Sequence, residues 1–206
     1  MDQAKQHWES VYQKKSPKEV SWFQEIPSKS LEWIEHSGIG KDAKIIDVGG
    51  GASTLVYFLI KKGFTNVTVL DISAKSLEES KKQLGERAQT VTWIEADITE
   101  MTFAKQSFDF WHDRAVFHFL ADPADRAKYI TQMNQAVKPG GFALIAPFSL
   151  SGPPKCSGLE VCHYSAETLG REIGSNFKLV EQAEEKHKTP FGTEQDFIYC
   201  LFKREK

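Results

Sequence analysis

The stretch Ile45-Ile46-Asp47-Val48-Gly49-Gly50-Gly51-Ala52-Ser53 decides the fold. An apolar strand over residues 44–48 runs into three consecutive glycines, and residues 53–62 then have the composition of a helix, which Gly63 ends. A strand that turns on glycine into a helix is the repeating unit of a doubly wound α/β sheet. The same alternation continues downstream. Residues 67–70 and 91–95 read as strands, with a helix between them that Ser73 caps and that runs to about Leu84. A fourth strand over residues 108–112 is followed by Asp122-Pro123, a cap and a first-turn proline, opening a helix to about Val137. Lys138-Pro139-Gly140-Gly141 turns the chain into a fifth strand, residues 142–146.

The flanks read differently. Beyond the fifth strand a proline- and glycine-bearing loop extends to about His163, too long for a simple connector. Residues 177–187 and 193–203 are extended runs separated by Thr189-Pro190-Phe191-Gly192, which predicts an antiparallel hairpin at a sheet edge, its second run beside the fifth strand. Residues 1–37 carry Trp8, Tyr12, Trp22, Phe23 and Trp33, with helical spacing around Leu31 and Ile34, and read as a helical cover. The expected architecture is therefore a doubly wound, mostly parallel α/β sheet with an antiparallel edge hairpin and an N-terminal helical cover. One domain is expected over residues 1–206, with cover 1–40 and core 41–206.

Composition narrows the function. The 26 Lys+Arg against 28 Asp+Glu leave a net charge of -2, without the basic excess that draws proteins to phosphate backbones, so no nucleic-acid partner is expected. No apolar run approaches the ~20 residues of a membrane span, and the N-terminus does not read as a signal peptide. Cys156, Cys162 and Cys200 match neither a disulfide framework nor a CxxC knuckle, which points to the cytoplasm. Cys156, Cys162 and His163 share the long loop, but nothing in their spacing demands a metal, and none is expected.

The chemistry is carried by the ends of the strands. Gly49 and Gly51 can take positive φ and let a ligand approach the backbone closely at the carboxyl edge of the sheet; they also suit a simple tight turn. Asp47 stands before the first glycine, where it can engage a ligand or orient the loop amides. A dinucleotide fingerprint spaces glycines as G-x-G-x-x-G, but here Thr54 holds the third place. Asp71 ends the second strand, positioned to accept from both hydroxyls of a ribose. Asp97 follows the third, where it can accept from an adenine amino group while Ile98 packs on the ring. Three acids at three successive strand ends point to a nucleoside ligand.

This order resembles the S-adenosylmethionine (AdoMet)-dependent methyltransferase superfamily with a Rossmann-like, seven-stranded sheet, over about residues 44–141. The departure is Ser53, where many members carry a further glycine. More narrowly, His7-Trp8, Tyr12 and Ser21-Trp22-Phe23-Gln24 resemble small stand-alone bacterial methyltransferases related to some protein-lysine methyltransferases. The resemblance implies AdoMet as cofactor and S-adenosylhomocysteine as product. It implies cofactor contacts from Trp22, Asp47, Gly49, Gly50, Gly51, Asp71, Ile72, Asp97, Ile98 and Asp113.

The run Asp113-Arg114-Ala115-Val116-Phe117-His118 then occupies the place that faces the transferred methyl, with Asp113 and His118 the expected catalytic residues and His112 a further candidate. The run has no Asn/Asp-Pro-Pro-aromatic motif of the kind found in methylases of nucleobase or glutamine amides. The acceptor is expected to be a small molecule, with a lysine on a protein as the alternative. A nicotinamide-dependent oxidoreductase and a non-catalytic AdoMet-binding domain are the competing readings.

Overall fold

The glycine turn joins strand to helix where the sequence requires it. The computed structural model describes residues 2–205, so Met1 and Lys206, the outer limits of the expected cover and core, lie outside the described residues. The cover holds helices α1 (Asp2–Lys14) and α2 (Ser28–His36). The core then alternates β1 (Lys44–Val48), α3 (Leu55–Lys61), β2 (Asn66–Asp71), α4 (Ala74–Leu84), β3 (Val91–Glu95), β4 (Phe108–Arg114), α5 (Pro123–Ala136) and β5 (Val137–Ala146). Ser73 accepts from the Ser76 amide to cap α4, and Asp122 accepts from Ala124 to cap α5, each a short polar residue meeting an orphan N–H.

Three elements depart from the expectation. The Lys138–Gly141 turn lies inside β5, because the chain already pairs Val137 with Phe108 before looping out and resuming at Phe142 opposite Phe110. Room for that excursion exists only without a side chain at Gly141, where a Cβ would stand 2.9 Å from the carbonyl oxygens of Asp109 and Lys138. The long loop contains a small hairpin, β6 (Lys155–Cys156) with β7 (Leu159–Glu160). Helix α6 (Ala166–Ile173) was not expected at all; Ser165 and Thr168 cap it reciprocally, and Leu169 and Ile173 dock it on the sheet.

The last two strands, β8 (Phe177–Lys188) and β9 (Glu194–Arg204), form the expected hairpin, and β9 inserts antiparallel beside β5. The sheet order is β3-β2-β1-β4-β5-β9-β8. Ile45 belongs to one apolar cluster with α2, α3 and α4, and Ile46 to a second with α5 and α6, so neighbouring residues of β1 bury opposite faces. Chain order reverses between β1 and β4, which leaves a crevice at their carboxyl ends. No described helix is long and apolar enough to cross a membrane.

Candidate active site

A cleft of about 230 Å³ opens at that crevice. Its floor is made of strand ends: Val48 and Gly49 at and after the end of β1, Asp71 and Ile72 at and after the end of β2, Asp97 and Ile98 after β3, and Arg114, Ala115 and Val116 at and after the end of β4. A smaller recess of about 40 Å³ shares Tyr12, Trp22, Gly49 and Arg114 with it and adds Asp47, Gly50, Thr54 and His112. The two cavities together run across the glycine turn.

That turn is shaped by close approach. Gly49 has φ +69°, and a Cβ on it would fall 2.0 Å from Val116; a Cβ on Gly50 would meet Asp47 Oδ2 at 2.2 Å, and one on Gly51 would meet Ser76 Oγ at 1.9 Å. Any side chain here would push into the walls of the cavities. The loop amides are oriented by the end of β2 rather than by Asp47: Gly49 and Gly50 donate to the Leu70 carbonyl, Asp71 Oδ2 accepts from Gly51 N–H at 2.9 Å, and Asp71 Oδ1 accepts from Ser73 N–H at 2.9 Å. Burial outweighs those contacts and pushes the Asp71 pKa up to about 6. Asp47 Oδ1 accepts from His112 Nδ1 at 2.7 Å, and His112 Nε2 meets Ser30 Oγ at 2.9 Å, while Asp47 Oδ2 is buried without a hydrogen-bond partner. Asp97 Oδ1 is held by the amide and hydroxyl of Thr99.

The cover roofs the cleft with aromatic rings. Trp8 of α1 meets Phe119 edge-on at 4.9 Å and Trp22 at 5.7 Å, and Trp22 meets Tyr12 at 6.5 Å. Glu9 Oε1 fastens α1 to the start of α4 by accepting from the Ala74 amide at 2.6 Å. Burial, and next the charge of Asp71, hold the Tyr12 phenol far above its ordinary range, so it remains protonated.

Residues 45–141 match a family model described as a methyltransferase domain. The chain is 24% identical over 192 residues to EEF1A lysine methyltransferase 2 of Danio rerio, spanning 86% of this chain and 76% of that protein. It is 27% identical over 163 residues to the ubiquinone/menaquinone biosynthesis C-methyltransferase UbiE of Francisella philomiragia, spanning 75% and 64% of the two chains. In fold it matches the 1,6-didemethyltoxoflavin-N1-methyltransferase of Burkholderia thailandensis, solved with 1,6-didemethyltoxoflavin and S-adenosylhomocysteine bound, at a TM-score of 0.73 and 18% identity over 98% of this chain and 88% of that one. Residues 45–141 thus match a methyltransferase domain, and the relatives and the fold together support AdoMet-dependent methyl transfer on a Rossmann-like sheet.

The fold brings most of the expected cofactor residues to the two cavities: Trp22, Asp47, Gly49, Gly50, Asp71, Ile72, Asp97 and Ile98 line one or both, and Gly51 donates its amide to Asp71. The expected catalytic residues are not among those that line them. Asp113 is fully buried: Oδ1 accepts from the amides of Val116 and Phe117, and Oδ2 from the Tyr129 hydroxyl at 2.7 Å. Its pKa is pushed up to about 6 by burial, and the geometry makes it a brace for the turn after β4. His118 is likewise fully buried, stacked on Phe148 at 4.2 Å, with Nδ1 accepting from the Phe148 amide. Burial, and next the charge of Arg114, depress its pKa to about 3, so it stays neutral.

Cys156, Cys162 and His163 point to separate partners: Ser21 Oγ, the Leu120 carbonyl and the Pro153 carbonyl. Among the described residues no group of three His, Cys, Asp or Glu side chains is arranged to hold a metal. What sequence reasoning passed over is Arg114. Its Nε donates to Tyr199 Oη at 2.8 Å and its Nη1 to the Trp22 carbonyl at 2.9 Å, and its guanidinium lies 4.2 Å over the Phe197 ring. The signal in the sequence was its place in the run Asp113–His118 that follows the expected fourth strand.

Proposed function

We infer that this methyltransferase acts on a small acceptor admitted beneath the aromatic roof, and that the two cavities divide the cofactor between them. The observation that carries the reading of the acceptor is the edge-on packing of Trp8 against both Trp22 and Phe119, three aromatic rings that line the 230 Å³ cleft and narrow it to the scale of a small molecule. Asp71 is assigned to the ribose hydroxyls, Asp97 to the adenine amino group, and Ile72 and Ile98 to the two faces of the base. The bare glycine backbone and the unpartnered Asp47 Oδ2 fit the amino-acid end: a buried carboxylate oxygen without a donor is costly unless a ligand such as an ammonium supplies one.

When bound, AdoMet supplies a methyl group already activated on a sulfonium. The remaining work of the protein is positional. The strand ends fix the nucleoside, Trp22 offers an aromatic face to the cation, worth roughly 0.5–2 kcal/mol, and the roof excludes water. Because His118 is buried and lines neither cavity, the acceptor arrives already in its nucleophilic form.

A lysine on a protein is the second reading. Similarity to EEF1A lysine methyltransferase 2 over 86% of this chain favours it, and a lysine stem is thin enough for an aromatic-lined slot. The three free cysteines, two of them buried, support a cytoplasmic setting. The test is incubation of the pure protein with methyl-labelled AdoMet and size-fractionated cell extract. We expect label in the small-molecule fraction; label confined to a protein band would replace this reading with the second.

A further inference from the structure

β1 and β4 end side by side, with Val48 paired to Asp113, so Gly49, just past β1, and Arg114, the last residue of β4, both reach the recess. Two side chains lining that recess each keep one buried atom without a hydrogen bond: Asp47 Oδ2 and Arg114 Nη2. One is an acceptor and the other a donor, of opposite charge. Unmatched buried groups of this kind destabilise a fold unless something binds them. The pair is complementary to an α-amino acid zwitterion.

The rest of the Arg114 side chain is already committed, to Tyr199, the Trp22 carbonyl and the face of Phe197, which fixes the direction of the remaining nitrogen. Glu185 Oε2 stands 3.5 Å from Nη2 without forming a hydrogen bond and accepts instead from Tyr199 Oη at 3.0 Å and from Gln24 at 3.3 Å. It tempers the charge of Arg114 and leaves a donor open.

We propose that Arg114 anchors the carboxylate of the cofactor's amino-acid end, opposite Asp47, which takes its ammonium. This rests on the assignment of the two cavities to AdoMet. Calorimetry separates the parts with three ligands: S-adenosylhomocysteine, decarboxylated AdoMet, which keeps the amine and lacks the carboxylate, and 5′-methylthioadenosine, which lacks both. Arg114→Gln is expected to weaken S-adenosylhomocysteine by about tenfold or more and leave the other two within about twofold. Asp47→Asn is expected to weaken both amine-bearing ligands and spare methylthioadenosine.

Equal losses on S-adenosylhomocysteine and decarboxylated AdoMet in Arg114→Gln would overturn the proposal. So would unchanged affinity for S-adenosylhomocysteine with a raised KM for the acceptor, which would move Arg114 to the acceptor side. If Arg114→Gln lost methylthioadenosine as well, its recess would have collapsed, and Arg114→Lys decides. A fall of about threefold or more in its preference for S-adenosylhomocysteine over decarboxylated AdoMet supports the anchor, since Lys keeps the charge and loses the fork, and an unchanged preference refutes it. Wild-type protein that bound none of the three ligands would refute the assignment of the cavities themselves.

Discussion

Asp71 holds the glycine loop and faces the ligand with the same carboxyl group. Its pKa of about 6 lies above the ordinary carboxylate value, so the folded protein binds a proton there more readily than the unfolded chain does. The stability gained from that proton is fully present below about pH 4 and is lost as pH rises through about 6. Ligand affinity runs the other way, because the ionised carboxylate is the stronger acceptor for ribose hydroxyls. Affinity for S-adenosylhomocysteine should be flat above about pH 7 and fall, by up to about tenfold per unit, below about pH 6; Asp71→Asn should bind more weakly and lose the pH dependence. Calorimetry from pH 5 to 8 checks both. Asp113 is the contrasting case. Asp113→Ala strands three donors, the part-buried Val116 amide and the buried Phe117 amide and Tyr129 hydroxyl, at a cost of about 3 kcal/mol or more. In a chain of this size the melting temperature should fall by about 6–12 °C in scanning calorimetry. Unchanged melting with lost turnover would instead restore a catalytic role.

At the scale of elements, α1 is fastened over the cleft by few bonds. Glu9 reaches the first amide of α4, Lys5 pairs with Glu95 at 2.5 Å, and Trp8 packs on Phe119. Glu9→Ala removes a charged acceptor from a helix N-terminus, a contact worth about 0.5–2 kcal/mol. Release of S-adenosylhomocysteine should accelerate by roughly twofold to thirtyfold, read by stopped-flow tryptophan fluorescence. An unchanged rate would mean that α1 does not move during release. The elements differ in how far they could be read ahead. β1, α3, β2 and α4 were legible because glycine, a serine cap and apolar runs all agree there, and the three strand-end acids followed. α6 was missed because its cap pairs Ser165 with Thr168 in place of a Glu or Gln, and it follows a loop without periodicity. Asp113 was expected beside the substrate and lies buried under the turn after β4, because an acid that braces the next turn and an acid that meets substrate look alike at a strand end. The surroundings of Arg114 were hidden for a different reason: its partners Glu185 and Tyr199 lie more than seventy residues away and meet it only once β9 pairs with β5.

For the whole molecule, both cavities lie at one crevice formed by the reversal of strand order, so a ligand there ties the cover, β1, β2 and β4 together. S-adenosylhomocysteine at a hundred times its Kd should add about 2.7 kcal/mol and raise the melting temperature by about 5–11 °C, whereas NAD at the same concentration should leave it unmoved. Stabilisation by NAD alone would contradict the assignment of the cavities. The cover is also locked from the opposite end of the chain: His187 Nε2 meets the Ser21 carbonyl at 2.8 Å, Gln195 donates to Ser21 Oγ, and Gln24 donates to Glu185. During synthesis the ribosome makes Ser21 first and must add 166 further residues before His187 exists. At about 5–20 residues per second, that delay is roughly ten to thirty seconds. Through that interval the nascent chain carries Trp8, Tyr12 and Trp22 without the hairpin that secures their segment, a sticky aromatic end that a chaperone is well placed to shield.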